Sequence, residues 1–201
     1  MDNPVKNLNS LSCQLLKTYF RAIKTPKKNI ETDLERIAAL SVDKMDENER
    51  FKVFVKEYNS EQVDTMVREL DKTISPQISC TDCGNCCKSL MVLISDPEAD
   101  NLSQHLGQTR ETFDAAFLEK GSNGLMIMNR MPCPFLSDNK CSVYEHRFEG
   151  CKEFPALHLP NFTRRLFTTF MHYDRCPIIF NVVEGLKDEM GFERNALKVQ
   201  S

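Results

Sequence analysis

No stretch of this 201-residue chain stays apolar for the roughly 18–20 residues that cross a bilayer. The opening MDNPVKNLNSLSCQ lacks the apolar centre of a secretory leader. Positive charge is not in excess: 26 Lys and Arg stand against 29 Asp and Glu, a formal net charge of −3. That balance gives no general attraction to nucleic acid or to an anionic membrane. Glycine is scarce, at seven residues, and no Gly-rich phosphate loop is present; GSNG at 121–124 is too short and reads as a turn. Internal repeats and low-complexity linkers are missing too. Tryptophan is absent, which excludes nothing. With 41% hydrophobic and 27% charged residues, the expectation is a globular, cytoplasmic protein with length enough for one domain of ordinary size or a domain with an appendage.

What the chain has is cysteine. Only Cys13 precedes residue 80; Cys80, Cys83, Cys86, Cys87, Cys133, Cys141, Cys151 and Cys176 lie between 80 and 176. In a reducing compartment such clustering points to metal thiolates rather than structural disulfides. Residues 80–87 read CTDCGNCC. Cysteines three apart turn both sulfurs toward one ion, the knuckle geometry shared by zinc sites and iron–sulfur loops. Adjacent side chains tend to point apart, so Cys86 and Cys87 are expected to serve different centres. Eight cysteines make two sets of four, hence two neighbouring sites or one polynuclear site.

All-sulfur ligation suits zinc, which wants four tetrahedral ligands, and equally suits iron–sulfur clusters. The Cys-x2-Cys-x2-Cys run with a remote Cys-Pro is similar to bacterial ferredoxin ligation, but there the fourth cysteine lies three residues further on, whereas Cys87 is immediate. Eight thiolates around two zinc ions carry a net charge of about −4 and need nearby positive groups or N–H donors. Lys88, Lys140, Lys152 and Arg175 each adjoin a cluster cysteine. His146 and His172 lie near cluster cysteines in sequence, and either could replace a thiolate; His105 and His158 are weaker candidates. No catalytic triad is evident, since nothing in the sequence places Cys87 beside His172. Tyr144 and Tyr173 are expected to pack near the cluster as apolar groups.

The fold class expected is mainly α with a few short strands (α+β): N-terminal helices over residues 1–76, then an irregular, metal-stabilised cysteine-cluster domain over 77–201. Leu8, Leu11, Leu15, Tyr19 and Ile23 mark a first helix stopped by Pro26; Ile30, Leu34 and Ile37 a second; Phe51, Phe54, Val55 and Tyr58 a third. From Asn59, Val63, Met66, Val67, Leu70 and Ile74 continue on one face, as part of the same bent helix or as a fourth. Lys17, Arg21, Lys24, Lys27 and Lys28 read as a solvated face, and Cys13 as a small buried side chain. SLMVLIS and GLMIMNR read as strands, with a helix from Asp96 between them and another from Thr109 to Lys120. PCPFLSDNKC reads as a hairpin, VYEHRFEGC as a short helix ending near Gly150, RRLFTTFMHY as a strand, and Pro177 as a helix start.

CTDCGNCC, CPFLSDNKCSVYEHRFEGCKEFP and the late RCP together resemble the CxxCxxCC cysteine-cluster family, a YkgJ-type zinc- or iron-chelating domain, over about residues 80–180. The family usually has proline after the arginine and arginine after the next cysteine; here those positions hold Phe148 and Lys152. The resemblance implies metal chelation and little more, because most members are uncharacterised. A flagellin lysine methylase is similar to the family around the cysteine motif, yet no S-adenosylmethionine loop is recognisable here. Three functions follow as expectations. One is a chelating module binding zinc or iron through about eight thiolates, whose N-terminal helices pack on the cluster or recruit a protein partner. Another is an iron–sulfur enzyme, redox or transferring a group such as methyl to a protein side chain. The last is a thiol-redox sensor with Cys86 and Cys87 exposed and of low pKa.

Overall fold

The computed structural model describes residues 29–194. The helix expected around Leu8–Ile23, the basic residues 17–28 and Cys13 lie outside the described residues. From Glu31 onward the described residues form one compact unit. It is mainly α with two small sheets, as the sequence implies.

Three helices come first: α1 (Leu34–Asp43), α2 (Met45–Lys56) and α3 (Ser60–Ile74). Asp33 caps α1 by accepting from the N–H groups of Glu35 and Arg36. Asn59 does the same for Glu61 and Gln62, so the stretch from Phe51 to Ile74 is two helices, broken where a side-chain cap competes with the helical ladder. Val63, Val67, Leu70 and Ile74 are buried along one stripe of α3. That stripe packs on the last helix, α10 (Pro177–Glu189), which also touches α1. A Cβ on Gly185 of α10 would stand 2.9 Å from a methyl of Leu70, so this glycine sets the close approach of the two helices.

α10 is buried almost all round and carries a fully buried Lys187. Its ammonium donates to Glu47 Oε1 (2.8 Å), Asn48 Oδ1 (2.6 Å) and Glu184 Oε1 (2.6 Å). Tyr173 Oη also donates to Glu184, at 2.7 Å, and Arg194 and Lys44 bind its other oxygen. A buried charge is tolerable only when so completely paired. Burial alone would raise the Glu184 pKa; Lys187, Tyr173 and Arg194 outweigh it and bring the group to about 2. Tyr173 therefore belongs to this network, contrary to its expected place beside the cysteines.

Between these helices in sequence lies the material that carries the cysteines: α4 (Cys80–Cys83), α5 (Asn85–Ser89), β1 (Leu93–Ile94), α6 (Asp96–His105), α7 (Arg110–Phe117), β2 (Leu118–Lys120), β3 (Met126–Met128), β4 (Leu136–Ser137), β5 (Lys140–Cys141), α8 (Glu149–Glu153) and α9 (Leu166–Met171). β1, β3 and β2 form an antiparallel sheet in that order, with Ile127 opposite both Leu93 and Glu119. Val92, Ile94, Leu102, Phe113, Met126, Met128, Phe135 and Phe148 make a second core, and Cys133, Cys141 and Cys151 pack against it.

Three local expectations are corrected. The helix from Thr109 stops at Phe117, because Leu118–Lys120 pair with Met126–Met128 across the 121–124 turn. RRLFTTFMHY is helical: Leu166 and Thr169 bury one helical face while Phe167 stays 80% exposed, a three-residue spacing that no strand would give. Gly150 is the second residue of α8, where a Cβ would press 3.4 Å from Val92, so it permits packing and does not end the helix.

Candidate metal centre

CTDCGNCC folds as two single-turn helices hinged at Gly84. Ser79 opens α4 by accepting from the Asp82 N–H, and Gly84 sits at φ +58°, the left-handed region that lets one turn end and the next begin at once. The PCPFLSDNKC segment is the hairpin expected. Asp138 and Asn139 form its two-residue loop with φ of 48° and 61°, the doubly positive pattern that matches the twist of flanking strands. Asn139 rests directly on Gly84, where a Cβ would stand 2.9 Å from its Cα, and its Nδ2 donates to the Asp82 carbonyl.

Two further bonds bring in the remaining cysteines. The Cys133 N–H donates to the Cys87 carbonyl at 2.8 Å. Asn85 Nδ2 donates to the Arg175 carbonyl at 2.7 Å, fixing the residue before Cys176, which leads into α10. Cys151 arrives on α8. The result is one cavity of about 190 Å³ lined by all eight cysteines. A single water needs only about 10–15 Å³ on the same measure, so the space is no packing defect. Among the described residues every one of these thiols is free of disulfide. Also among the described residues, no group of three or more His, Cys, Asp or Glu stands ready to hold an ion: the thiols surround a space and are not drawn to a point.

The electrostatics divide the cavity. Cys80 is pushed up by burial and by the charges of Cys86 and Cys83, with Arg147 opposing. Cys176 is pushed up to about 12, chiefly by burial, with Cys80 and Cys83 as its charged neighbours. At the other end burial pushes Cys133 up and takes Cys151 to about 12, and both feel Cys141 and Cys86. Cys87 is lowered because the Cys86 thiol donates to it; its own charged neighbours are Cys133, Cys141 and Cys151. Cys86, raised by that same hydrogen bond and by burial, is the thiol common to both ends. Cys86 and Cys87 both line the one cavity. Successive helical side chains diverge by about 100°, not the near-opposition of a strand, so both can border the same space.

The donor set fits a soft or borderline metal: eight sulfurs, apolar walls, and few competing oxygens. Of the neighbouring basic residues, Lys152 and Arg175 line the cavity; Lys88 and Lys140 do not. His172 lines it, buried, with its pKa lowered by burial and by Arg175. His146 instead stacks on His105, with ring centroids 3.7 Å apart, and its Nδ1 bonds Asn101. The cavity residue the sequence reading did not single out is Arg147, which lies in extended backbone just before α8 and is brought to the cavity by the fold rather than by a helical spacing.

Residues 79–176 match the family model CxxCxxCC, described as “Putative zinc- or iron-chelating domain”. No curated protein and no solved structure matches the chain. Among the described residues no helix is long and apolar enough to cross a membrane.

Proposed function

We propose that residues 79–176, which match the CxxCxxCC domain, are a thiolate cage that chelates zinc or iron through Cys80, Cys83, Cys86, Cys87, Cys133, Cys141, Cys151 and Cys176. The observation that carries this reading is the convergence of all eight thiols on one cavity from four separate segments of chain. Cys80, Cys83 and Cys176 form one end, and Cys87, Cys133, Cys141 and Cys151 the other. Cys86 stands at the junction, so two four-thiolate sites or one centre bridged through Cys86 both use every ligand once or more. Bound there, zinc supplies folding free energy and no redox chemistry, whereas an iron–sulfur cluster supplies an electron site. The chain's own contribution is to present the sulfurs, exclude water with Phe148, Met128 and Ile178, and offset negative charge with Arg147, Lys152 and Arg175.

The test is elemental analysis of anaerobically purified protein, with an optical spectrum of the same sample. About two zinc per chain and no visible absorbance is the expected result for a structural chelator. Iron with matching sulfide and a brown colour assigns the cage to redox or group-transfer chemistry. Protein that holds neither metal, and takes up neither on reconstitution under reducing conditions, overturns the reading. Within the ligand set, Cys83→Ser is expected to lower metal content and stability together.

A further inference from the structure

Among the described residues one buried side-chain nitrogen or oxygen lacks a hydrogen-bond partner: Nε of Arg147. Leaving such an N–H unpaired forfeits its solvation without return, the more so when the group is charged, so its position calls for a partner. No carboxylate among the described residues lies within ion-pair distance of this guanidinium. Its plane is held instead by Tyr144, with Cζ 3.8 Å from the ring centroid, and both residues line the thiol cavity. Tyr144 is 45% exposed and Arg147 is half-buried beside it, so the pair stands where the cavity wall meets solvent. The positive charge reaches both ends of the cage: it favours the thiolate forms of Cys80 at one end and Cys151 at the other. The other two cations that line the cavity are already engaged, Lys152 with Glu149 and Arg175 with Asp174.

We propose that Arg147 is the positioning cation of the cage, its Nε–H donating to a ligand sulfur of the metal-loaded centre while Tyr144 fixes its plane. This rests on the chelating function proposed above. A guanidinium suits the task because it stays charged and presents its N–H groups in a rigid fork, and stacking on an aromatic face leaves that fork free. A sulfur that accepts such a bond carries less charge toward its metal, so the interaction tunes affinity and electronic structure alike.

The test uses the full chain loaded with zinc, titrated against a chromophoric chelator, and then with cobalt(II), whose thiolate-to-metal absorption band reports the charge on the sulfurs. Arg147→Met is expected to weaken zinc binding by about 10–100-fold and to move the cobalt band. Arg147→Lys, which keeps the charge but loses the Nε–H and the fork, is expected to fall between Met and the unmodified protein in affinity and to move the band as well. Unchanged affinity in Arg147→Met overturns the proposal, as does weaker binding with the band unmoved, because a merely structural arginine would give that result. Should far-ultraviolet circular dichroism show that Arg147→Met does not fold, Arg147→Lys decides by the same two readings. If the unmodified protein binds neither metal, it is the chelating function that fails, and that outcome is visible before any variant is made.

Discussion

Lys187 and Arg147 are both cations drawn into the interior, and the chain treats them differently. The Lys187 ammonium meets three acceptors on α2 and α10, all within 2.8 Å. Arg147 Nε meets none among the described residues. The same contrast runs through the regions around them. The pair α3 and α10 closes on a stripe of Val63, Val67 and Leu70 against Val182, Val183 and Leu186, and its polar groups find partners inside the chain. In the cysteine region the elements that carry Cys80, Cys83, Cys86, Cys87, Cys141 and Cys151 are helices of four and five residues and a strand of two, around a space lined by half-buried thiols. Elements that short bury little on their own and lean on the neighbouring core of Val92, Phe113, Met128 and Phe148. One region finds its polar partners within the polypeptide; the other leaves, among the described residues, an unpaired guanidinium nitrogen beside a cavity lined by thiols.

Stripping the metal tests that contrast most severely. A structural zinc contributes on the order of 10 kcal/mol to folding, far more than any single side chain. Hydrogen exchange before and after treatment with a strong chelator should show protection lost over residues 80–151 and retained in α3 and in α10 beyond its first turn. Equal loss in both regions would mean that the helical part has no independent stability, and the division would fail.

The converse perturbation is Lys187→Met, which keeps the volume and removes the charge. Glu47 and Glu184 would keep Lys44 and Arg194 but lose their most deeply buried partner. Breaking a buried ion cluster from one side costs about 3–5 kcal/mol. Urea unfolding should show that loss while the metal-to-protein ratio stays at its unmodified value. A drop in metal content would show that the two regions are coupled.

Glu184 gives the same region a pH signature. Its folded pKa is depressed, from an ordinary 4.5 to about 2, so the unfolded chain takes up its proton first as pH falls. The stabilisation is fully present above about pH 4.5 and disappears as pH drops through about 2, with an amplitude of about 3 kcal/mol. Glu184→Gln should flatten the acid limb of the unfolding curve between those values, measured on metal-free protein so that thiolate protonation does not contribute.

The sequence spoke clearly where a local pattern matched the final environment. The stripe from Val63 to Ile74, the proline that opens α10 and the hairpin around Asp138-Asn139 are all written in spacing and turn chemistry that tertiary contacts only reinforce. The gathering of eight cysteines was readable because soft, reactive side chains at knuckle spacing have few other uses. It was less legible where long-range contacts decide. Leu118–Lys120 leave their helix only because β3 is there to pair, and RRLFTTFMHY, rich in strand-favouring Thr and Phe, is helical because the buried face falls on Leu166 and Thr169. Tyr173 stands three residues from Cys176 yet turns to Glu184, and Arg147 draws attention only once the cavity exists around it.

Gly84 offers the mildest and most local probe of the cage. Its φ of +58° is a conformation that an alanine adopts only at a cost of about 1 kcal/mol, and the added methyl would stand 2.9 Å from the Asn139 Cα. Backbone cannot swing aside as a long side chain can, so either the hairpin retreats or the hinge between α4 and α5 opens. Both responses separate Cys80 and Cys83 from Cys141 while touching nothing in the α3–α10 pair. Gly84→Ala should therefore cost about 1–3 kcal/mol in metal-loaded stability, appear mainly as weaker zinc binding in a chelator titration, and leave the hydrogen exchange of α10 beyond its first turn unchanged. Gly107, at φ +66° with open space where its Cβ would be, is the matched control. Gly107→Ala carries the same backbone penalty without the collision, so it should lower stability by about 1 kcal/mol and leave zinc affinity as it was. If both variants weaken zinc alike, the effect is backbone strain spreading through the whole region, and the contact between Gly84 and Asn139 is not what holds the two halves of the cage together.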